Sequence, residues 1–365
     1  MDLAARNRVA ADYVAAFAQA GSRALIANLD TRVALHHWGN HALPVTINDG
    51  EPGGTFVCSP RVTYGDYILD ELDRFPNPAI APALRLAVRG LGGLLRRADA
   101  DRIVHINNWM MSTNLPVDLD PSLARDETDG LAAAWPSHLL AMRSLTRRHS
   151  APLIDALTGA GWLMLPSRQV FLVDDVAAQC LPRRDTKRDD KLWRGMDLTY
   201  EELTAVDDAD AARMAALYGL LYLQKYSRLN PAFTPRFIQR SGELGVLRHL
   251  VLRDAEGVIQ AFGAMHHMGR HCTMPLLGYD TGADPKRGLY RLAFHAGALY
   301  AARRGLQFNM SSGATAFKRH RGATAEMEFT AFYFRHLPPR RRRPFGALHA
   351  VAKGLGMPIL RRYDL

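Results

Sequence analysis

Apolar positions along the first half of the chain predict a mixture of helices and strands. Alanine and polar residues alternate at helical spacing over 3–20, which predicts an amphipathic opening helix. The same spacing predicts helices at 64–74, 78–97, 131–148 and 150–159, with a polar loop over 112–129. Short runs rich in apolar and β-branched residues predict strands at 24–36, 42–48, 102–106, 162–165 and 170–173.

The second half has a clearer pattern. Helices are expected at 207–225 and from Thr234-Pro235 onwards, because proline fits the first turn of a helix. Then come three strands, with a hairpin at Asp254-Ala-Glu-Gly257, a glycine-rich loop, and an alternation of helix and strand. The strands are 247–252, 258–267 and 271–279, the loop is 281–288, and the last elements are 289–304, 306–310, 314–320 and 328–335. This order predicts a mixed α/β fold.

Length and charge divide the chain into parts. A chain of 365 residues exceeds what one hydrophobic core usually supports, so two domains are expected. With 48% hydrophobic and 22% charged residues, the composition is that of an ordinary globular protein. The charged stretch 183–191 predicts a boundary between the halves. We therefore expect an N-terminal domain over 1–190, a C-terminal domain over 197–340 and a basic tail over 341–365.

Targeting signals and cysteine chemistry are not evident in the sequence. No apolar run approaches the roughly 20 residues that a membrane helix needs. The polar N-terminus differs from a signal peptide, and three widely spaced cysteines indicate neither a disulfide framework nor a cysteine zinc site. These features predict a cytoplasmic protein without a transmembrane segment. They do not indicate an oligomeric state.

The net charge of +10 is concentrated near the C-terminus. Eight Lys/Arg and one acid occur from Arg335 to Leu365, so this segment holds +7 of the total and leaves about +3 for the rest. A basic cluster attracts polyanions such as tRNA, an acidic acyl carrier protein or anionic lipid. A solvated terminus that binds nothing would have the same composition, and both interpretations stay open.

Two histidine-rich segments resemble each other. Ala34-Leu-His-His-Trp-Gly-Asn-His41 and Ala264-Met-His-His-Met-Gly-Arg-His271 match at five of eight positions, which suggests an internal duplication. Clustered imidazoles suit zinc, but adjacent histidines on a strand point to opposite faces. Hairpin turns with glycine are therefore the favoured interpretation, and no metal site is expected.

Four segments of the second half resemble a known family. They are Leu223-Gln-Lys-Tyr-Ser-Arg-Leu-Asn-Pro231, Gly278-Tyr-Asp280, Gly288-Leu-Tyr-Arg291 and Ser311-Ser-Gly-Ala-Thr-Ala-Phe-Lys-Arg-His-Arg-Gly322. Over about 200–337 the chain resembles GNAT acyltransferases, in particular the Fem-type branch and its acetyltransferase relatives. Those are two-domain proteins with tandem GNAT-like halves.

The resemblance implies a fold and an activity. The fold is mixed α/β, with two tandem GNAT-like domains, the first degenerate, around a mostly antiparallel sheet flanked by helices. The activity is N-acyl transfer from an acyl thioester, on coenzyme A or an acyl carrier protein, to a small-molecule amine. Fem-type enzymes use aminoacyl-tRNA instead, and Lys286-Arg-Gly-Leu-Tyr290 offers one glycine of the usual phosphate signature, so tRNA-dependent transfer stays open. A non-catalytic RNA- or membrane-associating protein of this fold is a third possibility.

The loop before the helix 289–304 predicts the donor site. A helix N-terminus presents unpaired N–H groups to a phosphate, Lys286 and Arg287 add charge, and Gly288 lets the backbone approach. An ordinary strand-to-helix turn would contain similar residues. The expected donor-binding residues are Leu277, Gly278, Tyr279, Lys286, Arg287, Gly288, Leu289 and Arg291.

Acyl transfer also needs an unprotonated amine, a stabilised oxyanion and a proton for the leaving group. In the GNAT arrangement the fourth strand splays from the fifth, which puts Leu277 to Asp280 near the chemistry. Asp280 is expected to take the amine proton and Tyr290 to lie near the leaving group. Ser311 and Lys318 are expected on the other side of the splay.

Overall fold

The computed structural model describes residues 2–359, apart from 52, 53, 74 and 76. In this part of the chain, eleven strands form one continuous sheet. In chain order, β1 to β11 are Arg32–Trp38, His41–Asp49, Arg102–Ile106, Leu139–Thr146, Leu163–Val173, Thr199–Leu203, Arg248–Arg253, Ile259–Met268, His271–Tyr279, Gln307–Asn309 and Thr324–Tyr333.

Helices cover the sheet. In chain order, α1 to α13 are Leu3–Ala20, Ser22–Leu25, Tyr67–Leu72, Ala81–Arg97, Ala124–Ala134, Arg147–Gly159, Val176–Gln179, Arg184–Arg194, Asp208–Tyr218, Pro235–Glu243, Leu289–Arg303, Thr315–His320 and Pro339–Val351. Turns of π-helix occupy Val62–Asp66, Gly219–Tyr226 and Ala352–Gly356, and 3₁₀ turns occupy Pro121–Leu123 and Pro285–Arg287. Within the described ranges, no helix is both long and apolar enough to span a bilayer.

The sheet repeats one pattern in each half. Its order is β1-β2-β3-β4-β11-β5-β10-β9-β8-β7-β6. The pairs β1–β2 and β2–β3 are antiparallel and β3–β4 is parallel. The same sequence of pairings recurs for β7–β8, β8–β9 and β9–β10, with β6 added at the outer edge. The predicted mixed α/β fold with a mostly antiparallel sheet flanked by helices is confirmed.

The two halves exchange their last strands. β5, from the first half, lies antiparallel beside β10 of the second, and β11 lies antiparallel beside β4 of the first. β5 and β11 also pair with each other, from Thr324 opposite Leu172 to Phe332 opposite Leu163. Each half therefore contributes a strand to the other, and both halves share one sheet. The domain boundary near 190 stays a prediction.

One predicted helix is wrong. Residues 139–146, part of the expected helix 131–148, form the central strand β4, and the helix α5 ends at Ala134. Every residue of β4 is buried. A strand buried on both faces has a continuous apolar run instead of an alternation, and such a run cannot be told from a buried helix by periodicity.

Other segments differ in kind from the sequence expectation. The charged stretch expected as a connector is the helix α8, on which Thr186 and Asp189 are buried. Residues 24 and 25, expected at the start of the strand 24–36, belong to the helix α2, and 124–129 of the expected loop belong to α5. The edge strand β6 was not expected at all.

Both histidine-rich segments are hairpins, as favoured from the sequence. The first joins β1 to β2 around Gly39, and the second joins β8 to β9 around Gly269. They occupy different positions in the repeated pattern, since the counterpart of β1–β2 is β7–β8. Among the described residues, no three or more His, Cys, Asp or Glu side chains are grouped as metal ligands.

Candidate active site

The strands β9 and β10 pair over the first three residues of β9 and then diverge. Their parallel pairing ends at Thr273 opposite Asn309. Beyond that point the chain after β10 follows β5, where the Met310 N–H donates to the Phe171 carbonyl at 2.8 Å, while β9 continues to Tyr279. A cavity of about 190 Å³ opens at this divergence.

The cavity brings several sequence-predicted residues together. Leu277 and Tyr290 line it from β9 and α11, and Ser311 and Lys318 line it from the segment after β10. Other lining residues come from both halves of the chain and include Phe56, Ser112, Arg168, Leu221, Tyr222, Met274, Phe294, Phe308 and Met310. The remaining predicted residues, Asp280 among them, are not part of this lining.

Lys318 is the most unusual side chain in the cavity wall. Only 4% of it is exposed, and its ammonium group donates to the carbonyls of Ser311 at 3.2 Å and Ser312 at 2.6 Å. Burial, with a contribution from the nearby charge of Arg168, lowers the pKa of Lys318 to about 7. The amine can therefore exist in both protonation states near neutral pH, as proton transfer requires.

The segment that presents these carbonyls has an unusual backbone. Ser311 and Ala314 adopt left-handed conformations with φ of 60° and 48°, and Gly313 between them has φ of 76°. Each left-handed residue other than glycine costs about 1–3 kcal/mol and persists only where its surroundings enforce it. One such constraint is the Asn309 side-chain oxygen, which accepts from the Ser311 N–H at 2.8 Å.

An ion pair joins the two halves beside this segment. The guanidinium of Arg168 on β5 lies 2.9 Å from the carboxylate of Glu328 on β11, whose side chain is 3% exposed. Arg168 also donates to the Ser112 carbonyl at 2.5 Å and to the Thr113 hydroxyl at 2.9 Å. Thr113 in turn donates to the Ser311 hydroxyl at 3.2 Å. The wall of the cavity is thus built from both halves.

Tyr290 lies within an aromatic cluster at the start of α11. Its ring contacts those of Tyr279, Phe294 and Phe317, with centroids 5.0 to 6.2 Å apart. Burial raises the pKa of Tyr290 well above its usual value. The phenol therefore stays protonated across the physiological range and is able to donate a hydrogen bond.

Asp280 has a different environment. Its carboxylate pairs with Arg213 at 3.0 Å and accepts the Gly282 N–H at 2.9 Å. The hydrogen bond from Arg213, together with that N–H, lowers the pKa of Asp280. A carboxylate with a lowered pKa is a weaker base, and the role predicted for Asp280 stays a prediction.

Two residues of the predicted phosphate site, Gly288 and Arg291, contact the helix α8. Gly288 adopts a left-handed conformation at the start of α11, and a Cβ there would lie 2.6 Å from the Leu192 side chain on α8. Arg291 pairs at 2.6 Å with Asp189, which is 2% exposed and also pairs at 2.6 Å with Arg321. The Asp189 carboxylate on α8 is therefore already paired with the arginines next to the N-terminus of α11.

The other donor-site residues divide between surface and core. Lys286 is exposed, and Arg287 reaches the Gln260 side chain and Asp197, both at 3.5 Å. Leu289 is buried in the core. Gly278 packs against backbone at the end of α9, where a Cβ would lie 2.7 Å from the Tyr218 nitrogen, so only glycine fits.

The corresponding divergence in the first half is filled by the protein itself. It follows the parallel pair β3–β4, where Asn108, Trp109 and Met110 are all at most 1% exposed. Arg143 on β4 donates to the Asn108 side chain at 3.2 Å and to the Val57 carbonyl at 3.2 Å. Side chains of the first half therefore occupy much of this divergence, and Arg143 also lines the larger cavity described below.

The basic segment near the C-terminus is helical in its described part. Arg341 on α13 is buried and donates to the carbonyls of Ala98, Asp99 and Ser137 at 2.9, 2.8 and 2.5 Å. Arg340 and Arg343 are exposed. The predicted tail residues Arg361, Arg362 and Asp364 lie outside the described residues.

We expect Arg341→Ala to lower the free energy of unfolding by about 1–3 kcal/mol, because three backbone carbonyls lose their donor and that of Ala98 is buried. Arg343→Ala, two positions along the same helix, is the matched control and should change it by less than about 0.5 kcal/mol. Urea denaturation of both variants measures the difference. Equal effects would show that Arg341 is as dispensable as the surface arginine.

Comparisons with known proteins find likenesses in structure alone. No protein-family model matches the sequence, and no curated protein matches it. Similar solved structures include FemX, at 9% identity and a TM-score of 0.46 over 59% of this chain and 78% of that one. L-PGS from Bacillus licheniformis is 14% identical, with a TM-score of 0.45 over 61% and 77%.

A tandem GNAT protein from the clavulanic acid biosynthesis pathway is also similar, at 13% identity and a TM-score of 0.36 over 58% of this chain and 69% of that one. Fem-type and GNAT proteins, the groups that the sequence resembles, are thus among the structural neighbours. A likeness at these identities and TM-scores concerns the path of the chain and does not bear on the substrate.

Proposed function

We propose that this protein transfers an acyl group from a thioester to an amine in the cavity where β9 and β10 diverge. The supporting observation is the buried amine of Lys318, whose pKa of about 7 suits it to exchange a proton near neutral pH. The proposed donor is an acyl thioester on coenzyme A or an acyl carrier protein. The proposed acceptor is the amine of a small molecule.

In the proposed reaction, the acceptor nitrogen attacks the thioester carbonyl carbon, a C–N bond forms and the C–S bond breaks. Neutral Lys318 accepts the proton that the attacking amine loses, and then returns it to the departing thiolate. The Ser311 hydroxyl donates to the carbonyl oxygen as negative charge develops on it. Tyr290, which stays protonated, donates a hydrogen bond to the leaving sulfur. The products are an amide and a free thiol.

A second candidate is aminoacyl transfer from tRNA, in which an ester bond breaks instead. The observation in its favour is the helix α8, which lies over the start of α11 and places Asp189 against Arg291. In that arrangement the pyrophosphate of coenzyme A would compete with the Asp189 carboxylate for Arg291. The exposed arginines Arg340 and Arg343 would suit the tRNA backbone.

Parallel assays test the two candidates. The purified protein is incubated with a panel of amines and with acyl-coenzyme A, an acyl carrier protein thioester or aminoacyl-tRNA. Amine-dependent release of free thiol, with the amide found by mass spectrometry, is the expected result. Transfer from aminoacyl-tRNA with no thiol release from either thioester would instead support the second candidate and contradict the first.

A further inference from the structure

A second and larger cavity adjoins the one that holds Lys318. Its volume is about 580 Å³, within the range of roughly 300–1,000 Å³ typical of small-molecule sites. Its walls are formed by α3 with the π-helical turn before it, by α4, by α13 with the π-helical turn after it, and by the middle of β5 and β11. Most of its lining is apolar, including Ile68, Leu72, Leu84, Val88, Leu91 and Leu348.

The two cavities lie side by side and share part of their lining. Arg168, Ser312, Gly313 and Ala314 line both of them, as do Phe56 and several residues of α3 and the π-helical turn before Ser227. A molecule whose reacting carbon lies beside Lys318 can therefore extend past the segment 311–314 into apolar space. The larger cavity would then hold a long substituent of that molecule.

Polarity changes from one end of the large cavity to the other. The polar residues Glu71, Arg143, Ser167, Arg168 and Glu328 line the large cavity, and Glu71 and Arg168 also line the smaller one that holds Lys318. Glu328 is already paired with Arg168, whereas Arg143 bonds neutral oxygens on Asn108 and Val57. The two glutamates thus equal the two arginines in number, and Arg143, whose hydrogen bonds go to neutral oxygens, suits a carbonyl or anionic group better than an ammonium group. The far end, on α4 and α13, is apolar.

We infer that this cavity binds the hydrocarbon chain of a long-chain acyl donor, with the thioester carbonyl beside Lys318. The inference rests on the proposed function and specifies its acyl group. The chain is assigned to the donor because its carbonyl end meets Arg143, which suits a carbonyl better than the ammonium end of a long-chain amine. Burial of each methylene strengthens binding about fourfold, so a dodecanoyl donor should bind at least about 100-fold more tightly than an acetyl donor.

Binding of N-acetylcysteamine thioesters tests this inference without requiring coenzyme A or turnover. Acetyl, octanoyl and dodecanoyl thioesters are titrated into the full chain and followed by calorimetry. We expect affinity to rise with chain length, and Val88→Trp, which fills the cavity from α4, to lower dodecanoyl affinity at least about tenfold while acetyl affinity is unchanged. Ala83→Trp, on the exposed side of the same helix, is the control and should behave like the wild type.

Three results would overturn the inference. They are affinity independent of chain length, a Val88→Trp protein that is folded yet binds dodecanoyl thioester normally, and displacement of that thioester by dodecylamine at equal concentration. Circular dichroism checks folding, and Leu84→Trp, one turn earlier, provides a second filled cavity. Chain-dependent binding without any transfer to amines would contradict the proposed function but support the chain site. Transfer of an acetyl group, but of no longer acyl group, would support the proposed function and contradict the chain site.

Discussion

Lys318→Met should lower kcat for acyl transfer by about 100- to 10,000-fold, the usual contribution of a positioned acid–base group. Methionine has a similar length and an apolar end, so the wall of the cavity is kept while the exchangeable proton is lost. Donor affinity should change little, because Lys318 bonds the Ser311 and Ser312 carbonyls and acts on the attacking amine. Steady-state kinetics with a soluble thioester measure both quantities.

The pH dependence of kcat in the wild type should reveal the titration of Lys318. Because the pKa of Lys318 is lowered to about 7, the fraction of neutral amine rises through that pH, and kcat should rise with it and then level off. In Lys318→Met this rise should be absent from the residual activity. A profile with the same midpoint in the variant would assign the titration to another residue.

Stability provides a control for folding. The pKa of Lys318 is about 7 in the folded protein against 10.5 as its ordinary value, so the unfolded chain binds more protons between these pH values. The free energy of unfolding of the wild type should therefore rise as the pH rises from about 7 towards 10.5. Below pH 7 this gain in stability should be absent. Lys318→Met should lack this dependence and be at least as stable at pH 7, since no charge is buried.

Asp280→Asn distinguishes the two candidate bases. Asp280 does not line the cavity and is paired with Arg213, so we expect this variant to keep most of the wild-type kcat. A loss in Asp280→Asn comparable to that in Lys318→Met would return the role of base to Asp280. The same kinetic assay measures both variants.

The elements that the sequence predicts best are those with local signals. Thr234-Pro235, the turn at Gly257 and the loop before Leu289 mark element ends through backbone chemistry, and the structure has the helices α10 and α11 and the hairpin β7–β8 there. The central strand β4 has no such marks. From Leu139 to Leu145 the residues are apolar except Arg143 and Ser144. A helical period and a strand period fit this pattern equally well.

The exchange of β5 and β11 depends on which strands are neighbours, and a single sequence does not contain that information. For this reason the sequence points to Lys318, Ser311, Tyr290 and Leu277, which lie in one half, but not to Arg168, which reaches the cavity from the other. A signal for such residues does exist. Arginines within otherwise apolar strands, such as Arg143, have to meet a partner or line a cavity, because a buried charge is costly.

Asp189→Asn should lower the free energy of unfolding by about 3–5 kcal/mol, the usual result of removing one partner of a buried ion pair. The side chain of Asp189 is 2% exposed and that of Arg321 is 7% exposed, so the substitution leaves a buried guanidinium without its counter-charge. Arg291 is 40% exposed and can be hydrated instead. Asp155→Asn is the matched control, because Asp155 and its partner Arg147 are both exposed, and this pair should contribute less than about 1 kcal/mol.

The same variant tests whether the start of α11 is an anion site. With the carboxylate gone, Arg291, Arg321 and the helix N-terminus are available to a phosphate group. Inorganic pyrophosphate at 100 times its Kd should restore about 2.7 kcal/mol to Asp189→Asn, and much less to the wild type, where Asp189 competes. Thermal denaturation with and without pyrophosphate measures this difference. If pyrophosphate stabilises neither protein, the donor's phosphates do not bind at Lys286 to Arg291, and a donor without coenzyme A becomes the better assignment.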